Sequence, residues 1–224
     1  MTQSTSLGGA ERPRGRLLYR GAEADLVRGK WQGLDAVYKI RRPLKYRLPA
    51  LDEALRHQRT VREADMIAAA KRAGVRAPYL YNIEPSNATL VMEFVEGERL
   101  KESVGSSPVN QAARIFNRLG RDVAKLHSAG IMHGDLTTAN VVRRDRELVF
   151  LDFGLSLHSN RVEDQAVDLR LIKETIVGAH SGVAIPLLRA LFDGYGAEAG
   201  ELRSRAVLRQ LRGIERRGRY ARVT

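Results

Sequence analysis

The stretch Ile131–Val142, IMHGDLTTANVV, followed by LDFG at Leu151–Gly154, decides how this chain is read. Asp135 and Asn140 stand five residues apart, and a second aspartate, Asp152, precedes Phe153-Gly154. Carboxylate and amide oxygens are the hard ligands that Mg²⁺ takes when it bridges nucleotide phosphates, and the earlier carboxylate can orient or deprotonate a nucleophile. The spacing therefore predicts a phosphoryl-transfer site, with Asp135 as the catalytic carboxylate and Asn140 and Asp152 as metal ligands. A plainer reading also fits the letters. VVRRDRELVFLD, residues 141–152, reads as two strands about a turn, so the acids could belong to an ordinary hairpin loop.

Composition narrows the field. A chain of 224 residues with 43% hydrophobic content suits one large domain or two small lobes with a real core. The absence of cysteine excludes disulfides, thiolate zinc sites and a thiol nucleophile. No run approaches the roughly 18 apolar residues of a membrane helix, and the opening MTQSTSLGGAERPRGR lacks the apolar centre of a secretory signal. The expectation is a cytoplasmic protein without a membrane partner. The net charge is +12, and it is focused: from Arg203 to Arg222 there are eight arginines against one acid, Glu215. Such a patch points to nucleic acid, with a solvated surface as the alternative.

Upstream of the central stretch, residues 1–15 read as a flexible arm. Residues 17–40, LLYRGAEADLVRGKWQGLDAVYKI, alternate strand-like runs with Gly-centred turns at Gly21, Gly29 and Gly33, predicting an antiparallel meander. A protein kinase carries G-x-G-x-x-G at its first turn; here only Gly21 of that pattern is present. Lys39 stands between apolar neighbours at the end of a strand, the place of the kinase lysine that holds the α- and β-phosphates and pairs with a helix glutamate. Glu63, on a helix expected over residues 51–72, is the favoured partner, with Glu53 as fallback. Thr60-Val61-Arg62-Glu63 also fits a capping box, in which Glu63 would only satisfy a backbone amide. Two further strands, 78–83 and 89–92, lead to Glu93 and Val95, where a kinase presents backbone groups to adenine. Met92 would stand at the back of that pocket or simply in the core.

Downstream, Asn110 can cap a helix with Ile115, Leu119, Val123 and Leu126 on its apolar face. His133 reads as structural, fixing the loop by hydrogen bonds. Further helices are expected near Val167–His180 and Ile185–Phe192, with Gly194 after the second. A basic helix then packs to about Ile214 before a free tail. Several kinase features are missing. Gly134 replaces the arginine that clamps a phosphorylated activation loop, and Thr137 replaces a lysine common after the catalytic aspartate. No Ala-Pro-Glu follows Asp152, and only thirteen residues separate Gly154 from Asp168.

Taken together, RGAEA at Arg20–Ala24, YRLPALDEALRHQRTVREAD, HGDLTTAN, DFGLS, SNRVEDQAVDL and ERRGRYARV resemble the small atypical serine/threonine kinase subunit of the KEOPS (EKC) complex, of RIO-like, piD-type kinases, over residues 17–224. The resemblance implies an α+β bilobal kinase fold with a small antiparallel-sheet N-lobe (16–95), a reduced, mainly helical C-lobe (96–214) and a basic tail (215–224). It implies ATP and Mg²⁺ as cofactors, with Asp135, Lys39 and Glu63 catalytic, and Gly21, Met92, Glu93, Val95, Asn140 and Asp152 about the nucleotide. It also implies a role in threonylcarbamoyl-adenosine modification of tRNA. The partners it implies are a threonylcarbamoyl-transferase subunit at the C-lobe and a small subunit at the N-lobe. The arginine chemistry of the chain end, with Tyr220 to stack, adds the expectation that tRNA meets the tail through Arg216, Arg217, Arg219, Tyr220 and Arg222, against a merely solubilising end. Two other readings stay open: a small-molecule kinase of the aminoglycoside or choline type, and a pseudokinase that binds without turnover.

Overall fold

The computed structural model describes residues 15–106 and 108–220. They form two compact units, the first made of residues up to Ala64 together with Tyr79–Phe94, the second of Asp65–Pro78 and everything from Val95 onward. The division is thus not a single cut near residue 95. Residues 1–14 of the expected arm lie outside the described residues, and Gly15 already belongs to a strand.

The first unit is a five-stranded antiparallel sheet with one long helix as far as Ala64, the rest of that helix being assigned to the second unit. Strands β1 (Gly15–Arg20), β2 (Ala24–Trp31) and β3 (Leu34–Arg41) form the meander. Helix α1 (Pro49–Arg72) follows, then β4 (Leu80–Glu84) and β5 (Thr89–Glu93), in the sheet order β1-β2-β3-β5-β4. Gln32 and Gly33 both have positive φ, as a two-residue hairpin loop of the twisted sheet requires. Gly29 is no turn: it lies inside β2, opposite Gly15 on one side and Ala36 on the other. The inner strand β5 buries Thr89, Leu90, Val91 and Met92, and Met92 packs with Leu90 and Ala64. Helix α1 closes on Gly74 at φ 78°, the left-handed turn glycine supplies at least cost.

The second unit is mainly helical. It contains β6 (Glu98–Arg99), α2 (Leu100–Ser106), α3 (Val109–Ser128), β7 (Ile131–Met132), β8 (Val141–Arg144), β9 (Glu147–Phe150) and β10 (Leu157–His158). Helices α4 (Val162–Ala179), α5 (Ala184–Ala199) and α6 (Glu201–Tyr220) complete it. Helix α3 begins one residue before Asn110 and is preceded by Pro108 without a side-chain cap, so Asn110 lies in the first turn rather than at the cap. Phe116, Leu119, Val123 and Leu126 of α3 are fully buried, each worth about 1.5–3 kcal/mol of transfer free energy. Ile115, expected on that face, is only half-buried.

Helix α4 starts at Val162, five residues before the predicted Val167, because Ser159 donates to the Asp164 carboxylate at 2.6 Å and fixes the first turn. Gly194 does not end α5. A Cβ there would fall 1.9 Å from the Asn117 carbonyl oxygen of α3, and one on Gly120 of α3 would fall 2.0 Å from that of Leu191. The two glycines let the helices cross in backbone contact. Helix α6 runs on to Tyr220, past the expected end of packing near Ile214, so Arg216, Arg217, Arg219 and Tyr220 are helical rather than part of an extended tail; Arg222 lies outside the described residues.

Candidate active site

In the first unit, β3 and α1 bring three charged groups together. Lys39 Nζ lies 2.7 Å from Glu63 Oε1, while the Arg41 guanidinium donates to Glu63 Oε2. Arg41 also reaches Thr60 Oγ1 at 3.3 Å, and that hydroxyl donates in turn to the Arg56 carbonyl at 2.8 Å. All four side chains are buried. Thr60 and Glu63 lie in the middle of α1, which rules out the capping box, and Glu53 is exposed. Sequence reading missed Arg41. Its signal was alternation, since residues 39 and 41 point to the same side of β3.

The turn between β1 and β2 is tight. Gly21 N–H donates to the Ala24 carbonyl at 2.9 Å, and a Cβ on Gly21 would meet that oxygen at the same distance. Arginines secure it: Arg42 donates to the Gly21 carbonyl, and Arg59 to the Glu23 carboxylate. The Arg59 hydrogen bond holds that carboxyl below the usual carboxylate range. At the other end of the unit, Glu93 N–H donates to the Tyr79 carbonyl at 2.8 Å, and Tyr79 N–H to the Glu93 carboxylate at 3.1 Å. Val95, expected to adjoin it at the adenine, is the first residue assigned to the second unit at this junction.

In the second unit the loop 133–140 is built from its anchors outward. Asp168, on α4, accepts from His133 N–H at 2.6 Å and from Gly134 N–H at 2.8 Å, and lies 3.3 Å from His127 Nε2. Burial alone would raise the Asp168 carboxyl, but the bonds from His127 and Gly134 outweigh it and hold the group below its ordinary value. His133 Nε2–H donates to the Leu151 carbonyl at 3.0 Å, which leaves Nδ1 to accept from Asp135 N–H at 3.4 Å. Burial lowers the imidazole pKa, so the ring is neutral in that tautomer. Ser156 Oγ donates to the His133 carbonyl at 2.8 Å.

On this frame Asn140 Nδ2 donates to the Asp135 carbonyl at 2.9 Å and to Asp135 Oδ2 at 2.8 Å. Leu151 N–H donates to the Asn140 carbonyl at 2.8 Å, which ties the residue before Asp152 to Asn140. Asp152 has φ 57°, a left-handed backbone uncommon outside glycine, and its Oδ1 accepts from Gly154 N–H at 3.1 Å. The hairpin of the plainer reading is real, with β8 paired to β9, yet it ends in these site residues instead of replacing them. The donor set fits Mg²⁺: the Asn140 amide nitrogen is committed to Asp135, so its oxygen is the atom left to offer a cation, and Asp152 supplies a carboxylate. One amide and one carboxylate are what Mg²⁺ takes when phosphates and water complete the shell.

Gly134 explains the missing arginine. It adopts φ 80°, and a Cβ would lie 2.3 Å from the Leu155 carbonyl oxygen, which the pairing of β10 with β7 holds overhead. No larger residue fits. Asp168 was the functional anchor that sequence reading passed over; its signal was an acid placed among apolar residues on a helix face.

These two clusters define the class. The protein kinase domain family matches residues 44–181. A solved Rio2 kinase complex with ADP/Mg²⁺ and phosphoaspartate, from Chaetomium thermophilum, shares the fold at TM-score 0.62 and 17% identity, covering 92% of this chain and 70% of that one. The chain is an atypical protein kinase or ATPase. The KEOPS complex subunit Bud32 of Pyrococcus abyssi is 37% identical over 211 residues, covering 92% of this chain and 96% of that protein. A probable bifunctional tRNA threonylcarbamoyladenosine biosynthesis protein of Methanothermobacter thermautotrophicus is 37% identical over 204 residues, which are 91% of this chain but 36% of that protein. The chain belongs to the Bud32 family of KEOPS complex subunits.

Proposed function

We propose that the chain is the ATP-dependent kinase or ATPase subunit of a KEOPS complex and supports threonylcarbamoyl-adenosine modification of tRNA. The observation that carries the chemistry is Asn140 bridging the backbone and side chain of Asp135, because it holds a carboxylate and a metal-ligand amide in one fixed relation. Asp135 orients the O–H of a water or a seryl group and takes its proton. Lys39, fixed by Glu63, holds the α- and β-phosphates. Asn140 and Asp152 would hold Mg²⁺, and the ion would supply neutralisation of the charge on the phosphates. Gly21, Met92, Glu93 and Val95 line the nucleotide in this reading.

Partner subunits follow from the relatives' names. We assign the threonylcarbamoyl-transferase to the C-lobe, a small subunit to the N-lobe and tRNA to the arginine-rich end, Arg216, Arg217, Arg219, Tyr220 and Arg222, in a cytoplasmic assembly. The pseudokinase reading is disfavoured because a binding module has no need of the buried Lys39–Glu63 pair, whose desolvation is costly. Mg²⁺-dependent phosphate release from ATP, measured with and without the transferase subunit and tRNA, tests the assignment. Turnover lost in Asp152→Ala supports it, and no turnover in any reconstitution overturns it.

A further inference from the structure

Helix α6 sorts its arginines by task. Arg203 is structural: its guanidinium donates to Gln165 Oε1 at 2.8 Å and to the Asn160 carbonyl at 2.9 Å. Arg217 faces Glu163 at 3.9 Å. Arg205, Arg209, Arg212 and Arg216 do none of this work. At about 100° per residue they fall within about 60° of one face, and they run about 16 Å along the axis. All four are exposed, while Ser204, Val207 and Leu211 occupy the buried side. Arg205 makes only a solvent-exposed pair with Glu201, and among the described residues the side chains of Arg209, Arg212 and Arg216 have no hydrogen bond or ion pair.

Neighbours at i+3 and i+4 on a helix touch, so this stripe sets cation against cation three times in succession, each contact costing roughly 0.2–0.5 kcal/mol. A merely solubilising face would alternate signs and relieve that repulsion. Residues 201–224 contain no lysine, so every cation there is the planar, five-donor group that matches phosphate oxygens bidentately. From Arg205 to Arg216 the stripe is arginine alone. A protein partner would want an apolar or aromatic centre there, whereas a phosphodiester backbone presents a row of anions to a row of steps of about 4.5–6 Å.

We infer that the exposed face of α6, Arg205-Arg209-Arg212 continuing into Arg216, is a backbone-binding surface for RNA that carries the nucleic-acid contact well up the helix from its end. The inference rests on the tRNA-linked reading for its partner and on the helix for its surface. Contacts of this kind position the RNA without reading its sequence.

The test uses the full chain with Arg205→Gln, Arg209→Gln and Arg212→Gln combined, which leaves Arg216 and the residues after it intact. Binding to a labelled, unmodified tRNA transcript is followed from about 50 to 200 mM salt. The glutamine triple should bind at least about tenfold more weakly at low salt, and its log affinity against log salt should be shallower by about two, near 0.7–0.9 per lost phosphate contact. The lysine triple should keep most of the slope. The melting temperature of the glutamine triple should hold or rise, because repulsion has been removed. Wild-type affinity and slope in the glutamine triple overturn the inference, as does a lower melting temperature, which would make the arginines structural. Lost association with a partner subunit while tRNA binding is unchanged also overturns it, assigning the face to a protein. ATP turnover in the same proteins reads the kinase assignment separately: its absence from wild type sinks that assignment and leaves the RNA-binding result for the α6 face standing.

Discussion

Arg41 closes on the carboxylate oxygen of Glu63 that Lys39 leaves open, so one buried glutamate is gripped from both sides by consecutive inward residues of β3. The grip fixes the Glu63 rotamer and hence the Lys39 ammonium. Arg41→Met should raise KM for ATP and cost about 1–3 kcal/mol of stability, because Glu63 Oε2 keeps its burial and loses its donor. Arg41→Lys should recover part of both. A double cycle of Arg41→Met with Glu63→Gln should fall well short of additive in ATP turnover. Additive losses would show that Arg41 acts independently of the pair.

Gly134→Ala should damage the chain more than its size suggests. The left-handed backbone costs about 1–2 kcal/mol for an L-residue, and the added methyl meets the Leu155 carbonyl. Thermal melting should drop by roughly 4 °C or more, and turnover should fall with it, since the loop that carries Asp135 must shift. An alanine variant that melts and turns over like wild type would show that Leu155 yields freely.

The two acids of the site should separate by role. Asp152→Ala should abolish ATP turnover, because the proposed reading gives Asp152 the carboxylate that binds Mg²⁺. Asp135→Asn should retain nucleotide binding and slow turnover by about 10²–10⁴, because the amide can still meet Asn140 yet accepts no proton. Isothermal titration beside steady-state turnover distinguishes them, and equal loss of binding in both would merge the roles.

Acid should loosen the second unit in a defined window. His133 has its pKa depressed by burial below the ordinary 6.5, so its neutral form is the folded one. That contribution is complete above about pH 6.5 and is lost as pH falls through the lowered folded value. Asp168, depressed below 3.8, adds its loss only in much stronger acid. Unfolding midpoints measured from pH 7.5 downward should decline below about 6.5, and His133→Gln should flatten the decline. An unchanged profile would move the responsible group elsewhere, His180 first, since burial depresses it in the same direction.

Much of this was legible in the letters, and the failures share a cause. Motifs that work through local backbone, such as HGDLTTAN and DFG, announce themselves by spacing, and Lys39 and Glu63 could be paired because the kinase pattern sets a strand lysine against a helix glutamate. Residues that act by long-range approach were opaque. Gly194 looks like a helix stop until Asn117 is seen pressed against it, and Gly29 looks like a turn until β1 and β3 are placed beside it. Asp168 lies 34 residues from Gly134, whose amide it holds, and nothing local marks it as the anchor of that loop.

That anchor has a consequence for control. With its two leading amides held by one carboxylate of α4, its imidazole keyed into the Leu151 carbonyl and a backbone oxygen lodged where any side chain at 134 would stand, the loop is assembled by contacts to buried groups around it. The loop that carries Asp135 thus takes its form from folding, like the cut of a key, and needs no phosphate on a neighbouring loop to hold its backbone in place.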